Sequence, residues 1–174
     1  SLAGANVIAV AGTPARAALA QRHGARAALV HGEPDLGRHI KAMSGGRGVD
    51  VVFDPVGGEL FHQALHCVAP EGKVLLIGFA SGTIPQIPAN ILLVKNIEVI
   101  GLNFGLYLGW SPDDERRRHA PRLRAMMQTL MQQAAARQLR PTASVCHPLA
   151  GFMDAFDAVA NRRTEGRALL KIVA

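Results

Sequence analysis

Short apolar runs alternate along this chain with stretches whose apolar positions recur at helical spacing. The runs are NVIAVA at 6–11, ARAALVH at 25–31, VDVVFD at 49–54, KVLLIG at 73–78, IEVIGLNF at 97–104 and RALLKIV at 167–173. Runs rich in Val, Ile and Leu and bounded by turn residues predict strands buried on both faces. The intervening stretches predict helices near 14–23, 34–43, 58–68, 118–138 and 152–161. Thr13 is placed to cap the first of these, with Pro14 as its opening residue, and His23-Gly24 closes it. Pro70-Glu71-Gly72 is expected to stop the helix at 58–68 before the strand at 73 begins. Ser1-Leu2-Ala3 before Gly4 reads as the last turn of a further helix. Strands alternating with helices predict a doubly wound α/β domain with a parallel sheet, whose ligands sit at the carboxyl ends of the strands.

Composition narrows the class. The chain has 174 residues, 49% of them hydrophobic and 18% charged. That suits one globular domain, and no apolar stretch is long enough to suggest a membrane span. Cys67 and Cys146 stand far apart with no CxxC spacing, which argues against a disulfide framework and fits a reducing cytoplasm. There is no leader-like segment and no initiator Met, which points to processing, a fragment or an incomplete record. The net charge of +6 gathers at Arg116, Arg117, Arg118, Arg122 and Arg124. Asp113, Asp114 and Glu115 stand just before them, so a solvated helix face with an acidic first turn is favoured over a nucleic-acid surface. No aromatic residue interleaves with those arginines, as a nucleic-acid platform would require.

Five segments in order, GANVIAVAGTPAR with HGA, GGRGVDVVFDPVGG, ALHCVAPEGKVLLIGFASG, NILLVKNIEVIGLNFG and GRALLKIV, cover essentially the whole chain. Together they resemble the nucleotide-binding domain of the medium-chain dehydrogenase/reductase superfamily, nearest its zinc-independent quinone oxidoreductases. The resemblance implies a Rossmann-like domain over residues 1–174 that starts near the end of the first helix. The first strand, its glycine-rich turn and the catalytic GroES-like domain would then lie outside the chain. GGRG at 45–48 precedes a strand, so it is a turn and not a phosphate loop. The missing strand implies a gap between the strands at 6–11 and 49–54.

The resemblance also implies a cofactor site. Where NAD-binding folds place a carboxylate for the ribose, this chain has Gly12 and Thr13, with Arg16 one turn on. A hydroxyl and a guanidinium attract a 2′-phosphate that a carboxylate would repel, which favours NADPH. In the plainer reading, Thr13 only caps a helix and Arg16 is solvated. His31 is either a further phosphate ligand or a surface residue. Val56 and Gly57, Gly78, Phe79 and Ala80, and Asn103 and Phe104 fall in turns that line the nicotinamide side in relatives. Asp54 either caps its turn or touches ligand.

The full-length relative would transfer hydride from NADPH to a quinone or an enone, with no catalytic side chain in this part. The fragment alone is expected to be inactive. A homodimer through residues near 97–104 is expected, with neither nucleic acid nor membrane as a partner. Two other classes compete: an S-adenosylmethionine-binding methyltransferase-like domain and a basic oligomerisation or binding module. His62, His66 and Cys67 lack a further ligand for a metal, and Cys146 and His147 point to opposite faces of a strand. Met126, Met127, Leu130 and Met131 are spaced for core packing.

Overall fold

The computed structural model describes residues 1–141, 145–161, 163, 164 and 166–172. It divides into compact units built from residues 3–125 and 126–174. In the first unit, β1 (Ile8–Ala11) pairs in parallel with β2 (Ala27–Val30), and α1 (Pro14–Arg22) makes the crossover. Thr13 is extended and its hydroxyl accepts from the Arg16 N–H at 3.3 Å, so the predicted cap forms with Pro14 as the first helical residue. Next come α2 (Leu36–Met43), β3 (Val49–Asp54), α3 (Gly58–Cys67), β4 (Val68–Leu76), α4 (Ala89–Lys95) and β5 (Glu98–Gly101). β3, β4 and β5 form a second parallel ladder in that order. A 3-10 helix, Phe104–Leu108, leads toward α5 (Arg116–Ala135).

The parallel α/β class holds, but the strands form separate ladders and not one sheet. β1 and β3 share no ladder, as the expected gap requires. Side chains join what hydrogen bonds do not. Leu36 and Ile40 of α2 are buried with Cys67 of α3, and Ile8, Leu29, Val49 and Leu60 pack against them. One apolar cluster shared by α2 and α3 therefore touches β1, β2 and β3. The other core lies under β3–β5, where Phe61, Leu65, Val68, Val74 and Ile97 are buried. Burying side chains of this size contributes about 1.5–3 kcal/mol each.

Several expectations need correction. The strand at 73–78 begins at Val68, because the chain is already extended there and Val68 and Ala69 are fully buried. Pro70-Glu71-Gly72 does not end the helix. It forms an irregularity inside β4, where Val49 pairs with Val68 but Val51 with Lys73, and Glu71 takes a positive φ of 61°. β3 has the predicted limits but is not buried on both faces, since Val51 and Phe53 are 53% and 65% exposed. No described element covers these two positions. Gly48, from the predicted turn, sits at φ +107° with Cys67 O only 2.5 Å from where a Cβ would stand, so only glycine fits. Asp113, Asp114 and Glu115 precede α5 and do not form its first turn. Asp114 accepts from the Arg116 N–H at 3.1 Å.

In the second unit, β6 (Val145–Pro148) pairs in parallel with β7 (Ala168–Lys171), and α6 (Phe152–Ala160) crosses between them. Val173, the end of the predicted last strand, lies outside the described residues. The methionine group is not core: Met126, Met127 and Met131 are 40%, 50% and 59% exposed. Helical spacing puts these residues on one stripe, yet no described residue of α5 is buried.

Truncating Leu36 should loosen the packing that joins the ladders. Leu36→Ala is expected to destabilise the chain by about 2–5 kcal/mol, the range for large-to-small core changes. Urea unfolding followed by circular dichroism measures this, and an unchanged midpoint would contradict the bridging role.

Candidate cofactor site at the strand ends

Two corners of the first unit collect the residues that the sequence singles out. At the end of β1 and β2, the His31 N–H donates to Ala11 O at 2.9 Å and draws His31 alongside Gly12. The imidazole Nε2 would stand 3.4 Å from a Cβ at Gly12. Thr13 follows directly, and Arg16 lies in the first turn of α1. Gly12, Thr13, Arg16 and His31 thus share one corner. The Thr13 oxygen accepts from the Arg16 N–H, while its own proton stays available for donation. The nearest carboxylate in sequence, Glu33, accepts from the Val30 N–H at 3.3 Å. Alternate residues of a strand aim their N–H groups to opposite sides, so Glu33 lies across β2 from Gly12.

The second corner is set by register. Asp54, Leu76 and Gly101 stand in one row across β3, β4 and β5. The turn after β3 is held by Asp54, whose Oδ1 accepts from Val56 N at 2.8 Å and Gly57 N at 2.9 Å. Asp54 is therefore the turn cap; its Oδ2 is buried without a partner in the structure. Gly57 sits at φ +69°, and a Cβ there would come within 3.0 Å of both Phe79 Cδ1 and Thr83 O. The loop after β4 is laced to this turn. Ala80 N donates to Pro55 O, Ser81 N to Val56 O, and Gly58 N to Thr83 O. Val56, Gly57, Gly78, Phe79 and Ala80 are thereby brought together. Leu102 N donates to Leu76 O at 2.9 Å, and Asn103 Oδ1 then accepts from Gly105 N at 3.0 Å. Asn103 and Phe104 occupy the same edge, one strand over. Thr83 was not singled out from sequence, because its contribution is a backbone carbonyl.

The corners offer backbone groups, hydroxyls and cations, and little acid–base machinery. Cys67 is no nucleophile: burial pushes its thiol up, and Sγ donates to Ala64 O. Lys95, pushed down by burial, donates to Leu65 O at 2.7 Å near the end of α3. Among the described residues no group of His, Cys, Asp or Glu could hold a metal ion. No helix among them is long and apolar enough to cross a membrane.

The zinc-binding dehydrogenase family profile matches residues 1–119. The chain belongs to this dehydrogenase family. Within it, the resemblance is to quinone oxidoreductases. Bovine quinone oxidoreductase-like protein 2 is 33% identical over 168 residues, which is 97% of this chain and 46% of that protein. The quinone oxidoreductase of Pseudomonas syringae superposes with a TM-score of 0.81 at 26% identity, covering 97% of this chain and 50% of that one. The Escherichia coli quinone oxidoreductase, solved with NADPH, gives 0.79 at 26% identity with the same coverage. The chain spans about half the length of the relatives it matches. It is a Rossmann-like, quinone oxidoreductase-like cofactor-binding domain of an oxidoreductase family.

The Asp54 cap is directly testable. Asp54→Ala removes an ionised acceptor from two N–H groups and should destabilise the domain by about 1.5–3 kcal/mol, the range for hydrogen bonds to charged groups. Asp54→Asn keeps an acceptor oxygen and should lose less. Equal urea midpoints for Asp54→Ala and the parent chain would show that the turn does not depend on it.

Proposed function

We propose that this chain is the cofactor-binding part of an NADPH-dependent oxidoreductase that passes hydride to a quinone or an enone. The observation that carries the reading is the corner at the end of β1 and β2. Gly12, Thr13, Arg16 and His31 converge there, and the nearby carboxylate, Glu33, faces the other way. Such a corner attracts a 2′-phosphate. Arg16 supplies a fork of donors, Thr13 a hydroxyl proton, and His31 an imidazole that is cationic when protonated. The Escherichia coli relative's NADPH complex supports the choice of cofactor.

The bound nicotinamide supplies the hydride when it is present. The turns at Val56-Gly57, Gly78–Ala80 and Asn103-Phe104 hold and orient that end through backbone groups, and the glycine at 57 allows close approach. No side chain of this domain is assigned an acid, base or nucleophile role. A pyrophosphate anchor of the GxGxxG kind does not occur in the sequence, so residues 1–174 alone are proposed to be inactive. The free thiols of Cys67 and Cys146 fit a reducing cytoplasm, and no nucleic acid or membrane partner is proposed.

The 2′-phosphate corner can be probed without a pyrophosphate anchor. Adenosine 2′,5′-diphosphate should bind more tightly than 5′-AMP and shift the amide resonances of Gly12, Thr13 and His31. Arg16→Ala should weaken the diphosphate about tenfold to a hundredfold, the equivalent of a charged hydrogen bond, and leave 5′-AMP nearly unchanged. Equal losses for both nucleotides would reject the role of Arg16.

A homodimer is proposed through residues 97–104. β5 is the outer strand of its ladder, and Ile100 and Leu102 are each 37% exposed. Light scattering at tens of micromolar should report twice the chain mass, and a monomer would count against this contact.

A further inference from the structure

The segment after β5 holds the only Tyr and the only Trp of the chain, Tyr107 and Trp110, and the proposed function leaves both unused. Tyr107 is fixed on several sides. Its ring stands edge-on to Phe104 at 5.8 Å and to His119 at 4.8 Å, and the Arg122 guanidinium lies 5.6 Å from its centroid. His119 is itself held by Glu115 at 3.3 Å, and Glu115 also accepts from Arg118 at 2.7 Å. Among the described residues the Tyr107 hydroxyl has no hydrogen-bond partner, and it is not buried. A phenol with a fixed ring and an open hydroxyl is a ready donor toward a ligand.

Trp110 supplies an aromatic surface. Its backbone N–H donates to Gly105 O at 2.8 Å, and its indole lies against Gly105 so closely that a Cβ there would be 2.7 Å from Cε3. The residue is nevertheless 80% exposed, and Phe104, at the start of the 3-10 helix that holds Tyr107, is 42% exposed. This arm starts at Asn103 and Phe104, on the edge where the nicotinamide end is proposed to sit.

We propose that residues 103–110 bind the acceptor, a planar electron-poor ring of the quinone class. The ring lies against the exposed faces of Trp110 and Phe104, and the Tyr107 hydroxyl donates to one carbonyl oxygen. An electron-rich indole face favours an electron-poor ring, and Arg122 favours an oxygen that gains negative charge. The assignment rests on the reductase reading, but its test needs no cofactor.

Trp110 is the sole indole, so its fluorescence reports on this arm alone. Tetramethyl-1,4-benzoquinone is the probe, because it has no unsubstituted ring carbon for the exposed thiol of Cys146 to attack. Titration into the full chain should quench Trp110 to a plateau. Tyr107→Phe, which keeps the ring, should raise the half-saturation concentration about fivefold to tenfold, as the loss of one hydrogen bond predicts. Arg122→Gln should raise it by a smaller factor. The corresponding hydroquinone should bind more weakly. Quenching that stays linear, as for free N-acetyltryptophanamide, would overturn the proposal, and so would a saturable curve that Tyr107→Phe leaves unmoved. Saturable quenching in a chain that does not prefer adenosine 2′,5′-diphosphate would keep the acceptor site and reject the NADPH reading. The reverse pair of results would do the opposite.

Discussion

The apolar cluster shared by α2 and α3, packed against β1, β2 and β3, is the contact on which the rest of the first unit depends. No backbone ladder joins β1–β2 to β3–β4–β5. A parallel pair with strands this short is marginal in water by itself. Leu36 and Ile40, with Cys67 beneath them, tie that pair to the larger ladder through Ile8, Leu29 and Val49. The corner holding Thr13 and His31 therefore owes its place relative to the Asp54 turn to apolar side chains and not to hydrogen bonds. Such packing is non-directional, and it tolerates the split between ladders that a continuous sheet would not need.

The chemistry of the site follows from what is scarce in it. Asp54 is the buried carboxylate among the described residues, and it is spent on the turn at Val56 and Gly57. Cys67 and Lys95 are occupied with the end of α3. What faces outward at the strand ends is backbone, a hydroxyl, an imidazole, a guanidinium and, past β5, a cluster of aromatic rings. That inventory suits the holding and orienting of a cofactor that carries its own reactivity. The cation-rich start of α5 plays a supporting part. Asp114, held at about 2 by its hydrogen bonds to Arg116, keeps its charge at the helix entry at any ordinary pH. Glu115 is likewise held low by Arg118 and His119 and anchors the imidazole that faces Tyr107.

Features set by neighbouring residues were legible in the sequence. VDVVFD gave a strand with the predicted limits, and Thr13-Pro14 capped and opened α1 as its side chains require. The turn residues Gly12, Val56, Gly57 and Asn103 fall at strand ends because glycine and asparagine punctuate the apolar runs. The order of the motifs named the family. Each of these signals lies within a few residues, where backbone sterics and local hydrogen bonds decide the outcome. Other features depended on partners remote in sequence. The bulge at Pro70–Gly72 follows from how β4 aligns with β3, and α4 escaped notice because its short apolar stretch runs straight into β5. The methionine stripe of α5 has core spacing, but burial needs a covering element and the described residues provide none. The cage around Tyr107 joins a 3-10 helix to residues a dozen or more positions on. Periodicity specifies which residues share a face; only the tertiary structure decides what that face meets, because register and coverage arise from contacts between segments that no local pattern encodes.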